Sequence, residues 1–148
     1  MSARPVSLER TRPLRQAVLR PHETLAELAA GEADDAFAVG AFDADELVAV
    51  GLIAPDGEAG AWRVRGMATA PHARGRGAGT AVLAELLRHA ASRRAVRVWC
   101  NARTPARRLY ERAGLRVVSD EFELPEIGPH FVMEMRLGQP VRELRLRE

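Results

Sequence analysis

Apolar positions recur along this chain with two periods, and the switches between them mark its elements. Alternating or short apolar runs predict strands at 3–8, 37–42 (FAVGAF), 46–54 (ELVAVGLIA), 61–69 (AWRVRGMAT), 95–102 (AVRVWCNA), 115–124 (LRVVSDEFEL) and 130–137 (HFVMEMRL). In the last run Phe131, Met133, Met135 and Leu137 alternate with Glu134 and Arg136, which makes one face apolar. Helical spacing runs from Arg12 to Leu28: Leu14, Ala17 and Val18 repeat at i, i+3 and i+4, and Leu25, Leu28 and Ala29 repeat beyond the interruption at Pro21. Residues 78–92 carry an apolar stripe of Val82, Leu83, Leu86, Leu87 and Ala90. In 104–114, Thr104 is placed to cap a helix, Pro105 suits its first position and Gly114 its end, with Ala106, Leu109, Tyr110 and Ala113 on one face. Strand, helices, three strands, helix, strand, helix and two strands predict an α/β (α+β) layered fold around one mixed sheet. The unit 61–102 is expected to be a right-handed parallel crossover.

Composition narrows this further. With 148 residues, 47% of them apolar, the chain suits a single domain, 1–148, with its core in about 3–137 and a charged tail at 138–148. A net charge of +2, from 22 basic and 20 acidic residues, gives no reason to expect a nucleic-acid partner. Every basic residue is Arg, which lifts the calculated pI to 9.4 despite that small charge. A single cysteine, Cys100, allows neither an internal disulfide nor a cysteine zinc cluster, and His22, His72, His89 and His130 show no metal-ligand spacing, so no metal is expected. No apolar run suits a signal peptide or a membrane span, so a cytoplasmic setting without membrane association is the expectation.

The chemistry is concentrated in TAPHARGRGAGTAVLAELLRHA, Thr69 to Ala90. A P-loop needs a Lys, and this chain has none; a Rossmann turn needs G-x-G-x-x-G, and here Gly75, Gly77 and Gly79 give G-x-G-x-G. What is left is a loop of little side-chain bulk opening a helix. The first N–H groups of a helix lack internal partners and its dipole makes that end positive, so with Arg74 and Arg76 beside it the loop can cradle a phosphate or pyrophosphate. Taken alone, the same stretch also reads as a flexible turn with arginines for solubility.

Two motifs in order favour the cradle. RGRGAGTAVL at 74–83 resembles the Arg/Gln-x-x-Gly-x-Gly/Ala signature of the GNAT superfamily of acyl-CoA-dependent N-acetyltransferases, and ARRLYERAGL at 106–115 resembles that family's A-x-x-L-Y-x-x-x-G-F helix, with Leu115 in place of Phe. The ending GPHFVMEMRL is similar to a bacterial subgroup of the family. The resemblance spans roughly 10–137. It implies a mostly antiparallel sheet of about six or seven strands flanked by helices and splayed open between 61–69 and 95–102. It also implies transfer of acetyl from acetyl-CoA to a primary amine, on a small molecule or a peptide, by direct attack in a ternary complex. The other function it leaves open is a non-catalytic acyl-CoA-binding or regulatory domain. It leaves a homodimer open too.

Carried over residue by residue, the resemblance implies that the pyrophosphate meets the loop amides of Arg74, Gly75, Arg76, Gly77, Ala78, Gly79 and Thr80. The pantetheine arm then runs along Met67, Ala68 and Thr69. Tyr110 stands where the family keeps the acid that protonates the departing thiolate. The strand 61–69 has no Glu to relay the amine's proton. Candidates for that base are Asp120, Glu121, Glu123, Glu126 and, first by intrinsic pKa, His130, whose other role would be to fix the turn beside Pro129. Asn101 can bond a pantetheine amide or close a strand-end turn. Arg103 is a candidate phosphate contact. Arg63 is expected to pair with a carboxylate, while Arg65 is open between such a pair and a carboxylate on the acceptor. Cys100 reads as a small buried strand residue, and Trp62 and Trp99 as core.

Overall fold

A computed structural model describes residues 1–138; the charged tail, beyond Gly138, lies outside the described residues. The first strand, β1 (Ser2–Pro5), is shorter than the expected 3–8, because Ser7 caps a helix that begins at Leu8 rather than Arg12. The Ser7 hydroxyl accepts from the Arg10 amide at 3.3 Å. This helix, α1 (Leu8–Leu19), holds Pro13 inside it. A second helix, α2 (Leu25–Ala30), follows Pro21 behind a reciprocal capping box of Thr24 and Glu27. Then come β2 (Phe37–Asp43), β3 (Glu46–Pro55), β4 (Ala61–Thr69), α3 (Ala78–Ser92) and β5 (Arg97–Arg103). The chain closes with α4 (Arg107–Ala113), β6 (Arg116–Val117), β7 (Phe122–Leu124) and β8 (Gly128–Arg136).

Two further expectations shift. Thr104 does not cap α4: residues Thr104–Ala106 form a 3₁₀ turn, and the Thr104 hydroxyl donates to Glu121 Oε2 at 2.8 Å instead. The run 115–124 divides into β6 and β7 around Ser119 and Asp120, so the sheet has eight strands rather than six or seven. Gly114 ends α4 as read, in the left-handed conformation at φ 109°.

All strands join one sheet in the order β1-β2-β3-β4-β5-β8-β6, with β7 also on β8. Every pairing is antiparallel except β4 with β5, the parallel pair expected of the crossover. The α3 stripe of Val82, Leu83, Leu86 and Ala90 is buried against one face. Gly51 on β3 lets α3 approach, since a Cβ there would overlap Met67 Sδ and press on Val82 and Leu86 at 3.0 Å each. α1 packs on the other face, where it is clasped to the segment after α2. Glu32 takes Arg12 at 2.9 Å and Arg15 at 2.6 Å, and both Arg15 and Glu32 are largely buried.

One irregularity decides where the sheet opens. Val50 faces Ala68 and Leu52 faces Arg65, so Gly66 and Met67 together oppose Gly51: a β-bulge in β4, with Gly66 at φ 63°. A side chain at Gly66 would also strike Arg15 Nε at 2.9 Å, so this glycine admits both the bulge and the α1 contact.

Candidate active site

β4 and β5 pair only over Ala61–Arg63 with Arg97–Trp99. Beyond that point the bulge turns β4 away, and the two strands diverge. Alternate backbone groups of Val64–Thr69 therefore face the gap rather than β5. The gap is a cleft of about 680 Å³, lined by Val64–Thr69 of β4, Asn101 and Arg103 of β5, Leu109 and Tyr110 of α4, and His130 of β8.

At one end lies the glycine loop. Arg74 and Gly75 line the cleft there. Gly75 and Gly77 hold φ of 78° and 84°, and a Cβ at either would meet nothing within 4 Å. Gly77 caps α3 without a side-chain bond, and its own carbonyl is first used by Ala81 at 3.0 Å. The amides of Ala78, Gly79 and Thr80 thus have no backbone or side-chain acceptor among the described residues. Bare backbone, free N–H groups and open space make a fit for an anion. Gly79 differs: its missing side chain points inward, toward Thr69 Oγ1 at 3.5 Å and Leu109 at 3.7 Å. The Arg76 guanidinium is turned from the cleft into an ion pair with Asp43.

Across the cleft, Tyr110 is buried, and its hydroxyl has no hydrogen-bond partner among the described residues. Burial first, and the neighbouring Cys100 second, push the phenol above its ordinary value, so it holds its proton at neutral pH. Cys100 is itself buried, and that burial pushes its thiol up to about 12. Such a thiol is not a nucleophile at neutral pH.

His130 is buried and stacks on Phe122 with ring centroids 5.9 Å apart. Its Nδ1–H donates to the Gly128 carbonyl at 2.8 Å. A carbonyl only accepts, so the proton of the neutral ring is on Nδ1 and the Nε2 lone pair is free. His130 lies within β8, bonded to the strand's first residue, and it lines the cleft. The other base candidates fall away. Asp120, Glu121, Glu123 and Glu126 are exposed and none lines the cleft; Glu121 accepts from Thr104, and Glu126 lies 3.6 Å from His22.

Asn101 lines the cleft half-buried, with no side-chain bond among the described residues, which leaves its amide available. Arg103 lines the same cleft but donates to the Leu19 carbonyl at 3.1 Å, at the end of α1 rather than at the glycine loop. Arg63 sits 3.5 Å from Asp56 and 4.9 Å over the Trp99 ring, and Arg65 donates to the Gly31 carbonyl at 3.2 Å. Two contributors went unread in the sequence, the Gly66 bulge and Arg20, which lines the cleft from the end of α1. A lone glycine within a strand pattern was the available signal for the first. Among the described residues no cluster of His, Cys, Asp and Glu could hold a metal, and no helix is long and apolar enough to cross a membrane.

A family model described as the acetyltransferase (GNAT) family matches residues 7–115. The chain is 31% identical over 140 residues to an uncharacterized N-acetyltransferase of Bacillus subtilis, YitI, covering 90% of this chain and 94% of that protein. Its fold is similar to an aminoglycoside 6′-N-acetyltransferase solved with coenzyme A, at a TM-score of 0.78 and 16% identity over 95% of this chain and 99% of that one. It is also similar to the ribosomal-protein-S18-alanine N-acetyltransferase of Escherichia coli, at a TM-score of 0.75 and 14% identity over 93% and 94% of the two chains.

Proposed function

The chain belongs to the GNAT acetyltransferase family and is an acyltransferase, and we propose that this single domain moves acetyl from acetyl-CoA to a primary amine directly, within a ternary complex in the cleft between β4 and β5. The observation that carries the reading is the cleft itself. An anion cradle at one end, open strand edge along its length, a protonated phenol and an available imidazole nitrogen all border one continuous space.

Acetyl-CoA, as co-substrate, supplies the acetyl group, and the new C–N bond forms as the C–S bond breaks. The amides of Ala78, Gly79 and Thr80, with the bare backbone of Gly75 and Gly77 and the charge of Arg74, hold the pyrophosphate. Arg76 contributes its backbone, its side chain being paired with Asp43. Backbone groups of Met67, Ala68 and Thr69 and the Asn101 amide orient the pantetheine arm, which places the acetyl carbon beside the amine. His130 Nε2 takes the proton the amine must lose, directly or through water, and the Tyr110 hydroxyl returns a proton to the departing sulfur.

The test is CoA release from acetyl-CoA, followed by thiol detection, across polyamines, amino acids, aminoglycosides and peptide N-termini. Release with at least one amine is expected. Tight acetyl-CoA binding with no release on any amine would overturn catalysis in favour of a binding domain.

A further inference from the structure

Among the described residues, the cleft is lined by five arginines, Arg20, Arg63, Arg65, Arg74 and Arg103, and by no Asp or Glu. Arg74 stands at the glycine loop and is accounted for by the donor. The other four come from the end of α1 (Arg20), the first half of β4 (Arg63 and Arg65) and the end of β5 (Arg103), and the donor's phosphates do not need them. Isolated charge in a cleft is costly unless paired. Here the pairing is thin. Arg20 has only Glu23 at 3.6 Å and Arg63 only Asp56 at 3.5 Å, neither close enough for a hydrogen bond between those side chains. Arg65 and Arg103 have no carboxylate within 4 Å among the described residues and each donates to one backbone carbonyl, so most of their five N–H donors are unused. Arg63 Nε is buried with no hydrogen-bond partner among the described residues. Glu32, at the segment after α2, is occupied by Arg12 and Arg15.

Partial desolvation, then the neighbouring Arg63 and Arg15, lower the Arg65 guanidinium from its ordinary value, and desolvation followed by Arg20 does the same to Arg103. Arg20 is a like-charged neighbour of both, so the cluster carries repulsion in the free protein, and an anion placed beside it relieves that repulsion. The planar fork of a guanidinium matches the two oxygens of a carboxylate or phosphate.

We infer that the acceptor is an amine that also carries an oxyanion, a carboxylate or a phosphate, held by the cluster of Arg20, Arg63, Arg65 and Arg103. This assignment rests on the cleft being the transfer site. It sets the acceptor apart from polyamines and aminoglycosides, whose several positive charges the same arginines repel.

The experiment titrates the full-length protein, saturated with CoA, with acetylated probes in matched pairs. N-acetyl amino acids are set against their carboxamides, and N-acetylphosphoethanolamine against N-acetylethanolamine. At least one anionic probe is expected to bind about ten-fold or more tightly than its neutral twin, as one charged hydrogen-bond pair provides. The pair that shows the gap tells carboxylate from phosphate. Arg65→Gln should shrink that gap about ten-fold while CoA affinity, which reports an intact fold, holds; Arg65→Lys should restore part of it. Neutral twins that bind as well as the anionic probes, or a gap unchanged by Arg65→Gln, would overturn the assignment. CoA release separates the two levels: fast release with neutral or polycationic amines removes the anionic acceptor and leaves acetyl transfer standing, whereas failure to bind acetyl-CoA at all removes both.

Discussion

Tyr110 and His130 line the cleft from α4 and β8, while Cys100 of β5 is buried beside Tyr110, and burial has opposite consequences for the phenol and the thiol. Burial costs Tyr110 nothing in its proposed role, because an acid must hold its proton and desolvation favours the neutral phenol. Tyr110→Phe removes only the hydroxyl, so kcat should fall about 100-fold with the KM for acetyl-CoA nearly unchanged. A variant with full kcat would exclude Tyr110 as the acid. The same burial silences Cys100. With its thiol pushed up to about 12, the native protein should resist iodoacetamide at pH 8, and Cys100→Ala should keep kcat within about three-fold, the mark of direct transfer rather than an acyl-cysteine. His130→Gln keeps a polar group of similar reach but no basic nitrogen. It should lower kcat/KM for the amine about 100-fold while CoA affinity, measured by calorimetry, stays as it was.

Elements were legible wherever one residue's conformation or one apolar stripe decided them. The α3 stripe, the alternation in β8 and the Gly114 stop all stand as read, because each is a local property. Both motifs of the site were legible for the same reason. What was not legible depends on partners far along the chain. Thr104 looked like a cap, but its hydroxyl goes to Glu121, which only the fold brings near. The start of α1 lies ahead of the apolar spacing that begins at Leu14, and it is set by the Ser7 cap at residues the periodicity does not reach. The Arg15–Glu32 clasp and the Gly66 that makes room for it join positions that no sequence period connects. That clasp has a pH signature. Burial alone would raise the Glu32 carboxyl, but hydrogen bonds from Arg12 and Arg15 hold it below its ordinary value of 4.5. A depressed folded value stabilises the fold above 4.5, and the contribution disappears as pH falls through the folded value. Glu32→Gln leaves Arg15 buried without its charge partner and should cost about 3 kcal/mol at pH 7 in urea unfolding. The gap between variant and wild type should narrow as the pH is taken below 4.5. A gap constant from pH 7 to pH 3 would show that packing, not ionisation, carries the effect.

At the scale of the whole molecule, the sheet carries a built-in defect: a parallel pair that stops after Arg63 and leaves a half-strand facing empty space. Unpaired strand edge is a cost in the free protein, and a ligand that lies along it and also fills the glycine cradle recovers hydrogen bonds the sheet itself cannot make. Acetyl-CoA should therefore act as a missing strand and a missing helix cap together. At 100 times its Kd, CoA should add about 2.7 kcal/mol by mass action. For a chain of this size that raises Tm by about 5–10 °C. Hydrogen exchange should show where: amides in Val64–Thr69 and in 74–80 should slow on CoA binding, while the β2–β3 core, already paired on both sides, should not change. Gly77→Val separates the cradle from the strand edge. At φ 84° a branched side chain is strained, so the variant's own Tm drops, and the informative quantity is the further rise that CoA gives it. That rise should be largely lost in Gly77→Val if the pyrophosphate rests on the start of α3. Protection confined to the helices, or a CoA-induced rise equal in both proteins, would place the donor somewhere other than the split in the sheet.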